Sequence, residues 1–287
     1  MTCYSRPVPR IFAILLAALA ARPAQARDLQ FGFTPVLSES DMHAEFDPLM
    51  AYLSDSIGQK VVLYIAKDYG DLRTQMESGA VDIGTFSPFA YVDAARGGKV
   101  RLIAQCVING TASYRGVIIA RTDTGLKSLA DLRGKRFAFV DPKSASGYVY
   151  PRALLMEHGI APEKVFKQII FAGSHDKVIA DVLEGRADAG AVYEDALGIA
   201  KTRGLPTENL LTLASTDPIP HDAIAVRTGL DHALSKKILA ALVDLDKSDA
   251  GRRVIANSKP KQLTGYTTAE DSLYDVVRRT AHLAGTF

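Results

Sequence analysis

The chain carries one short pattern twice. Glu77-Ser78-Gly79-Ala80-Val81-Asp82-Ile83-Gly84 returns as Glu184-Gly185-Arg186-Ala187-Asp188-Ala189-Gly190, and both copies share the frame Gly-x-x-Asp-x-Gly. Each follows an amphipathic run, Leu72 to Met76 and Val178 to Leu183. Each leads into a polar, aromatic tip: Ser87-Pro88-Phe89-Ala90-Tyr91 in one, Val192-Tyr193-Glu194-Asp195 in the other. A helix closed by Gly, a short apolar strand and side chains displayed past the strand end make a βαβ-type unit that faces a ligand. Two copies imply two similar lobes whose tips meet across a cleft.

The first residues read as an export signal: Arg6 and Arg10, an apolar run from Ile11 to Ala21, then Ala24-Gln25-Ala26. The run is too short to span a bilayer, and no cysteine follows it to take a lipid. Cleavage leaves a soluble chain starting near Arg27, expected in a bacterial periplasm. Residues 1–26 hold three of the 34 Lys and Arg and none of the 32 Asp and Glu. The remainder is close to neutral, so neither nucleic acid nor an anionic membrane is implied as partner. Cys3 leaves with the signal, and Cys106 becomes the only thiol. No internal disulfide can form. A lone cysteine in an oxidising compartment is either a small buried hydrophobe or a group in use.

Leu29 to Phe33 alternates as a strand and breaks at Thr34-Pro35. Phe46 to Ile57 is an amphipathic helix stopped by Gly58, and Val61 to Ile65 the next strand, with Lys67-Asp68-Tyr69-Gly70 at its tip. Val100 to Ile108 and Tyr114 to Ala120 are strands around the turn Asn109-Gly110. Ser144-Ala145-Ser146-Gly147 opens a helix to about His158, and Leu211-Leu213 and Ala223 to Val226 are further strands. Two helices, near 232–246 and 269–283, finish the chain. Alternation of strands and helices predicts an α/β fold with mainly parallel sheets. The expected division is 27–118 with 225–287 as lobe 1 and 119–224 as lobe 2, the chain crossing on continuous strands near 118 and 225.

Asp131-Leu132-Arg133-Gly134-Lys135-Arg136-Phe137-Ala138-Phe139, then Asp141-Pro142-x-Ser144-x-Ser146-Gly147, resembles the phosphate/phosphite/phosphonate-binding family of periplasmic binding proteins. Gly173-Ser174-His175-Asp176 and the repeated Gly-x-x-Asp-x-Gly units resemble the same family. The resemblance implies a type II fold, two lobes joined by a hinge, with an oxyanion-type ligand enclosed on closure and no cofactor. It places Tyr69, Tyr114, Ser144, Ser146, His175, Glu194 and Asp222 where relatives touch ligand, with Ala145 inside the serine motif and Ser87 on the first tip. In phosphonate binders the acidic pair cradles an ammonium group, which Glu194 and Asp222 would match.

The residues allow the same ligand class on physical grounds. A helix start with two hydroxyls favours an anion, although either serine also suits a plain N-cap. His175 would equally serve as a helix cap, Tyr114 as packing and Glu194 as a solvated helix start. Apart from Lys67, no Lys or Arg lies in any tip, so neutral donors are expected to hold the ligand. Relatives that bind phosphonates usually carry Ser-Thr-Ser-Gly; here Ala145 replaces the middle hydroxyl. That change and Cys106 together resemble the arsenite-sensing branch of the family, whose members signal to a membrane histidine kinase controlling arsenite oxidation. Trivalent arsenic is thiophilic, and a thiolate separates it from phosphate. The leading expectation is arsenite held through Cys106. The alternative is phosphate, phosphite or a phosphonate delivered to an ABC permease. A cysteine-dependent hydrolase pairing Cys106 with His175 is a distant third, since no third orienting residue and no metal-ligand spacing accompany them.

Overall fold

The structure, a computed structural model, describes residues 1–2, 27–34, 38–258 and 262–287. Apart from Met1 and Thr2, the signal-peptide reading of 1–26 lies outside the described residues. The described elements begin with β1 (Leu29–Phe33), α1 (Glu39–Ile57), β2 (Val61–Ile65), α2 (Asp71–Ser78), β3 (Ile83–Phe86), α3 (Pro88–Ala95) and β4 (Val100–Ile108). A two-residue strand β5 (Ser113–Tyr114) precedes β6 (Gly116–Arg121), β7 (Arg136–Phe139), α4 (Tyr150–Glu157), α5 (Pro162–Val165) and β8 (Gln168–Phe171). Then come α6 (His175–Leu183), β9 (Ala189–Tyr193), α7 (Ala196–Thr202) and β10 (Leu210–Ser215). The return runs through β11 (Ile219–Pro220), β12 (Ala223–Arg227), α8 (His232–Val243), α9 (Asp249–Asn257), β13 (Leu263–Thr268) and α10 (Asp275–Leu283).

These strands form a six-stranded sheet, β13-β4-β12-β3-β1-β2, and a five-stranded sheet, β10-β6-β9-β7-β8. The two sheets are built alike. In each, a parallel trio (β2-β1-β3 and β8-β7-β9) is continued by antiparallel strands, β12 and β4 in one and β6 and β10 in the other. The sheets are therefore mixed rather than mainly parallel, because each lobe also pairs a strand that enters from the other lobe, and that strand runs against the trio.

The repeated sequence frame lies at matching places in the two trios. Gly79 ends α2 and Gly185 follows α6, both with positive φ (82° and 73°), a conformation that favours Gly. The carboxylate of Asp82 accepts the Gln30 N–H (3.0 Å), and that of Asp188 accepts the Arg136 N–H (2.8 Å). Each aspartate thus ties β3 or β9 to the start of the neighbouring parallel strand. Asp82 is fully buried and receives Arg27 and Arg227 as counter-charges, without which such a carboxylate would be costly to bury. The last glycine of each frame lets a helix close on the sheet. A Cβ on Gly84 would lie 2.5 Å from the Met76 sulfur, and one on Gly190 2.5 Å from Val178 Cγ1.

The crossings between sheets are a short antiparallel ribbon in which Tyr114 of β5 faces Ile219 of β11. They are not continuous strands near 118 and 225: β6 pairs within the five-stranded sheet from Gly116, and β12 within the six-stranded sheet from Ala223. Asn109 and Gly110 (φ 50° and 71°) form the expected turn, but the strands beside it belong to different sheets. On one side of the cleft a single apolar core runs through both lobes, joining Phe89 and Tyr91 of α3 to Val117, Val140, Tyr150, Tyr274 and Val277. There α10 packs on both α3 and α4. Among the described residues no helix is long and apolar enough to cross a membrane.

Candidate functional site

Between the two sheets lies a cavity of about 690 Å³. Nine of the residues singled out in the sequence line it: Tyr69, Ser87, Cys106, Tyr114, Ser144, Ser146, His175, Glu194 and Asp222. The tenth, Ala145, does not reach it. Its methyl is fully buried in the core beneath the serine turn, so nothing but its backbone could serve a ligand.

The serine motif takes the form of a wide turn. Residues Ala145–Val149 form a π-type turn, and α4 follows with Pro151 in its first turn, where Pro's missing N–H is harmless. The Ser144 oxygen accepts the Gly147 N–H at 3.0 Å. Ser144 is therefore a true N-cap that also lines the cavity, and the Gly147 amide is occupied. Gly147 has no room for a side chain, which would run into Val140. The donors presented to the cleft are hydroxyls. Ser144 lies beside the Tyr69 phenol and Ser146 beside the Tyr114 phenol. All four residues come from strand ends or turns, with Tyr69 from the first lobe, the serines from the second and Tyr114 from the ribbon between.

Burial, reinforced by the Asp222 carboxylate, raises the pKa of Tyr69 and Tyr114 well above the ordinary phenol range; burial and then Asp176 do the same for Tyr193. The phenols stay protonated and able to donate. His175 occupies the first turn of α6, but Ser174 is the cap, its oxygen accepting the Lys177 N–H. The buried imidazole meets the Tyr193 ring edge-on, with centroids 4.7 Å apart. Glu194 is exposed, and its Oε1 accepts the Arg115 N–H at 2.8 Å. Of the first tip only Ser87 faces the cavity, its hydroxyl donating to the Lys143 carbonyl across the cleft; Phe89 and Tyr91 turn into the core.

Cys106 lies on β4 opposite Tyr266 of β13, 7 % exposed and on the cavity wall. Its N–H donates to the Asp222 carbonyl, which links it to the strand that brings in Asp222. Among the described residues no group of three or more His, Cys, Asp or Glu is placed to hold a metal ion.

The charge of the wall differs from the expectation of a lining without Lys or Arg. Arg203, just past α7, lines the cavity with Glu194, Asp195 and Asp222. Its guanidinium is held by Asp176 of its own lobe at 2.5 Å and by Asp41 of α1 at 3.3 Å, so its charge is already matched. Sequence reasoning also passed over His221, Ile199, Thr202 and Gln262, all on the wall. His221 alone had a sequence signal, its place beside Asp222.

The profile of the family described as "ABC transporter, phosphonate, periplasmic substrate-binding protein" matches residues 31–274. The phosphate-import protein PhnD of Mycolicibacterium smegmatis is 29% identical over 273 residues, covering 88% of this chain and 84% of its own. Two solved structures share the fold. A binding protein component of a phosphonate ABC transporter from Pseudomonas aeruginosa superposes with a TM-score of 0.83 at 21% identity, covering 90% of this chain and 86% of that one. The PhnD protein of Prochlorococcus marinus, in complex with methylphosphonate, gives 0.81 at 22% identity over 90% and 98%.

Proposed function

We propose that this chain, which belongs to the family of periplasmic substrate-binding proteins of phosphonate ABC transporters, captures phosphate, phosphite or a phosphonate in its cleft and delivers it to a membrane permease. The observation that carries this is the convergence of four neutral hydroxyl donors, Tyr69, Tyr114, Ser144 and Ser146, on one cavity between two lobes. Tetrahedral oxyanions offer several acceptors and need donors from more than one direction. Hydroxyls drawn from both sides of a hinge meet that need only when the lobes approach. Binding then favours the closed form. In this reading His175 adds a donor, and Glu194 with Asp222 suits an ammonium group on the ligand. The two lobes move about the β5/β11 ribbon, which lies a few residues before the boundaries expected at 118/119 and 224/225. The M. smegmatis relative's name, phosphate-import protein, supports the same class.

One observation favours a second reading. Cys106 is among the residues that line the cavity, and none of the phosphorus oxyanions needs a thiol. A thiol would retain arsenite, with the hydroxyls and His175 around its oxygens, and the closed form would then signal to the periplasmic domain of a sensor histidine kinase. Thermal-shift measurements separate the two. A rise in melting temperature with phosphate, phosphite or methylphosphonate, unchanged in Cys106→Ser, supports transport. A rise with arsenite alone, abolished in Cys106→Ser, supports sensing. No rise with any of these ligands contradicts both.

A further inference from the structure

We infer that His221 is a positioning residue that fixes the Tyr114 phenol for ligand and makes the hinge part of the binding site. The inference rests on the proposed use of the cavity and adds a residue to it. Tyr114 and His221 lie on the two chain crossings, close to the pair Tyr114–Ile219 that holds β5 to β11. Their rings stack inside the cavity, centroids 5.2 Å apart and planes 10° from parallel. The imidazole is 7 % exposed, and its Nε2 lies 3.2 Å from the Thr111 hydroxyl, back on the first crossing. The His221 backbone is equally tied: its N–H donates to the Ala112 carbonyl, and its carbonyl accepts the Tyr274 hydroxyl at 2.8 Å.

His221 thus joins both crossings from the cavity side. The ribbon contributes only two residues per strand, so the ring stack is a large part of what sets its twist. Tyr114 has its hydroxyl beside Ser146 of the second lobe. A ligand held by those two hydroxyls bears on the ribbon about which the lobes turn, and the stack keeps the phenol from rotating away.

The test is a set of variants titrated calorimetrically with phosphate, methylphosphonate, phosphite and arsenite. His221→Ala is expected to weaken whichever of these the wild type binds by roughly 2- to 10-fold, the worth of an aromatic pair. His221→Phe, which keeps the stack but loses the Thr111 contact, recovers most of the wild-type affinity, falling short only by the small loss seen in Thr111→Val. In Tyr114→Phe the hydroxyl is already gone, so adding His221→Ala costs much less than it does alone. Thr111→Val, at an exposed position, weakens binding slightly and guards against misfolding of His221→Ala. If His221→Phe binds as poorly as His221→Ala, or if the losses at 114 and 221 simply add, the positioning role is wrong although the cavity still binds. A wild type that binds none of the four probes ends the proposed function and this inference together.

Discussion

Ser144 and Ser146 look interchangeable in sequence, but the fold gives them different tasks that mutation can separate. The Ser144 oxygen caps the serine turn through the Gly147 N–H; no such cap is made by Ser146, which is 3 % exposed with its hydroxyl beside Tyr114. Removing an N-cap side chain costs about 1 kcal/mol, which in a protein of this size lowers the melting temperature by about 2–4 °C. Ser144→Ala should show that drop without ligand, whereas Ser146→Ala should melt with the wild type. Binding should behave otherwise. A hydrogen bond to a charged group is worth about 1.5–3 kcal/mol, so Ser146→Ala should lose roughly 10- to 150-fold in affinity for an anion. For an uncharged ligand the corresponding loss is about 2- to 12-fold. Scanning calorimetry of the unliganded variants and titration of the liganded ones give the four numbers. Equal melting drops for both variants, or wild-type affinity in Ser146→Ala, would refute the division of labour.

Other perturbations probe the helix packing, the link between the lobes and the buried phenols. Gly190→Ala forces a Cβ to 2.5 Å from Val178 Cγ1 and should cost about 1–3 kcal/mol in urea unfolding; a stability unchanged from wild type would contradict the close packing of α6 on β9. Asp41→Asn removes the Arg203 partner that lies on the other lobe. This pair is partly exposed and so worth about 0–1 kcal/mol, and affinity should fall by up to about 5-fold, less in high salt; a loss independent of salt would speak against an ionic link. Burial raises the pKa of Tyr69, Tyr114 and Tyr193. Unfolded phenols ionise near about pH 10 while the folded ones keep their protons. Their contribution is therefore complete below that pH and declines above it, so urea midpoints should fall between about pH 10 and 11 and a flat profile would argue against these burials.

The two-lobe plan was legible because Asp82 and Asp188, Gly84 and Gly190 are constrained by the same local geometry in each trio, and local geometry leaves a sequence trace. The cavity-lining residues named in the sequence came from the family resemblance around the serine motif and Gly173-Ser174-His175-Asp176, and most lie at strand ends and tight turns. What was hidden depends on long-range placement. Arg203 enters the cavity only because α7 docks beside α6, and Gln262 only because β13 pairs with β4. β13 itself escaped notice because its register shifts between Leu263 and Gly265, which spoils the period of two. In α9 only Gly251 and Val254 are buried, too narrow a stripe to read. The parallel-sheet expectation failed because alternation of helices and strands does not reveal that β6 and β12 each arrive from the opposite lobe.

The claim on which the rest depends is that the cavity between the sheets takes a small oxyanion through hydroxyls from both lobes. Calorimetric titration of the wild type and of Ser146→Ala and Tyr69→Phe with phosphate, phosphite, methylphosphonate and arsenite tests it directly. Saturable one-to-one binding of at least one of these by the wild type, weakened in both variants, is the expected result. Binding that neither variant alters would place the ligand elsewhere, and no binding at all would remove the proposed function.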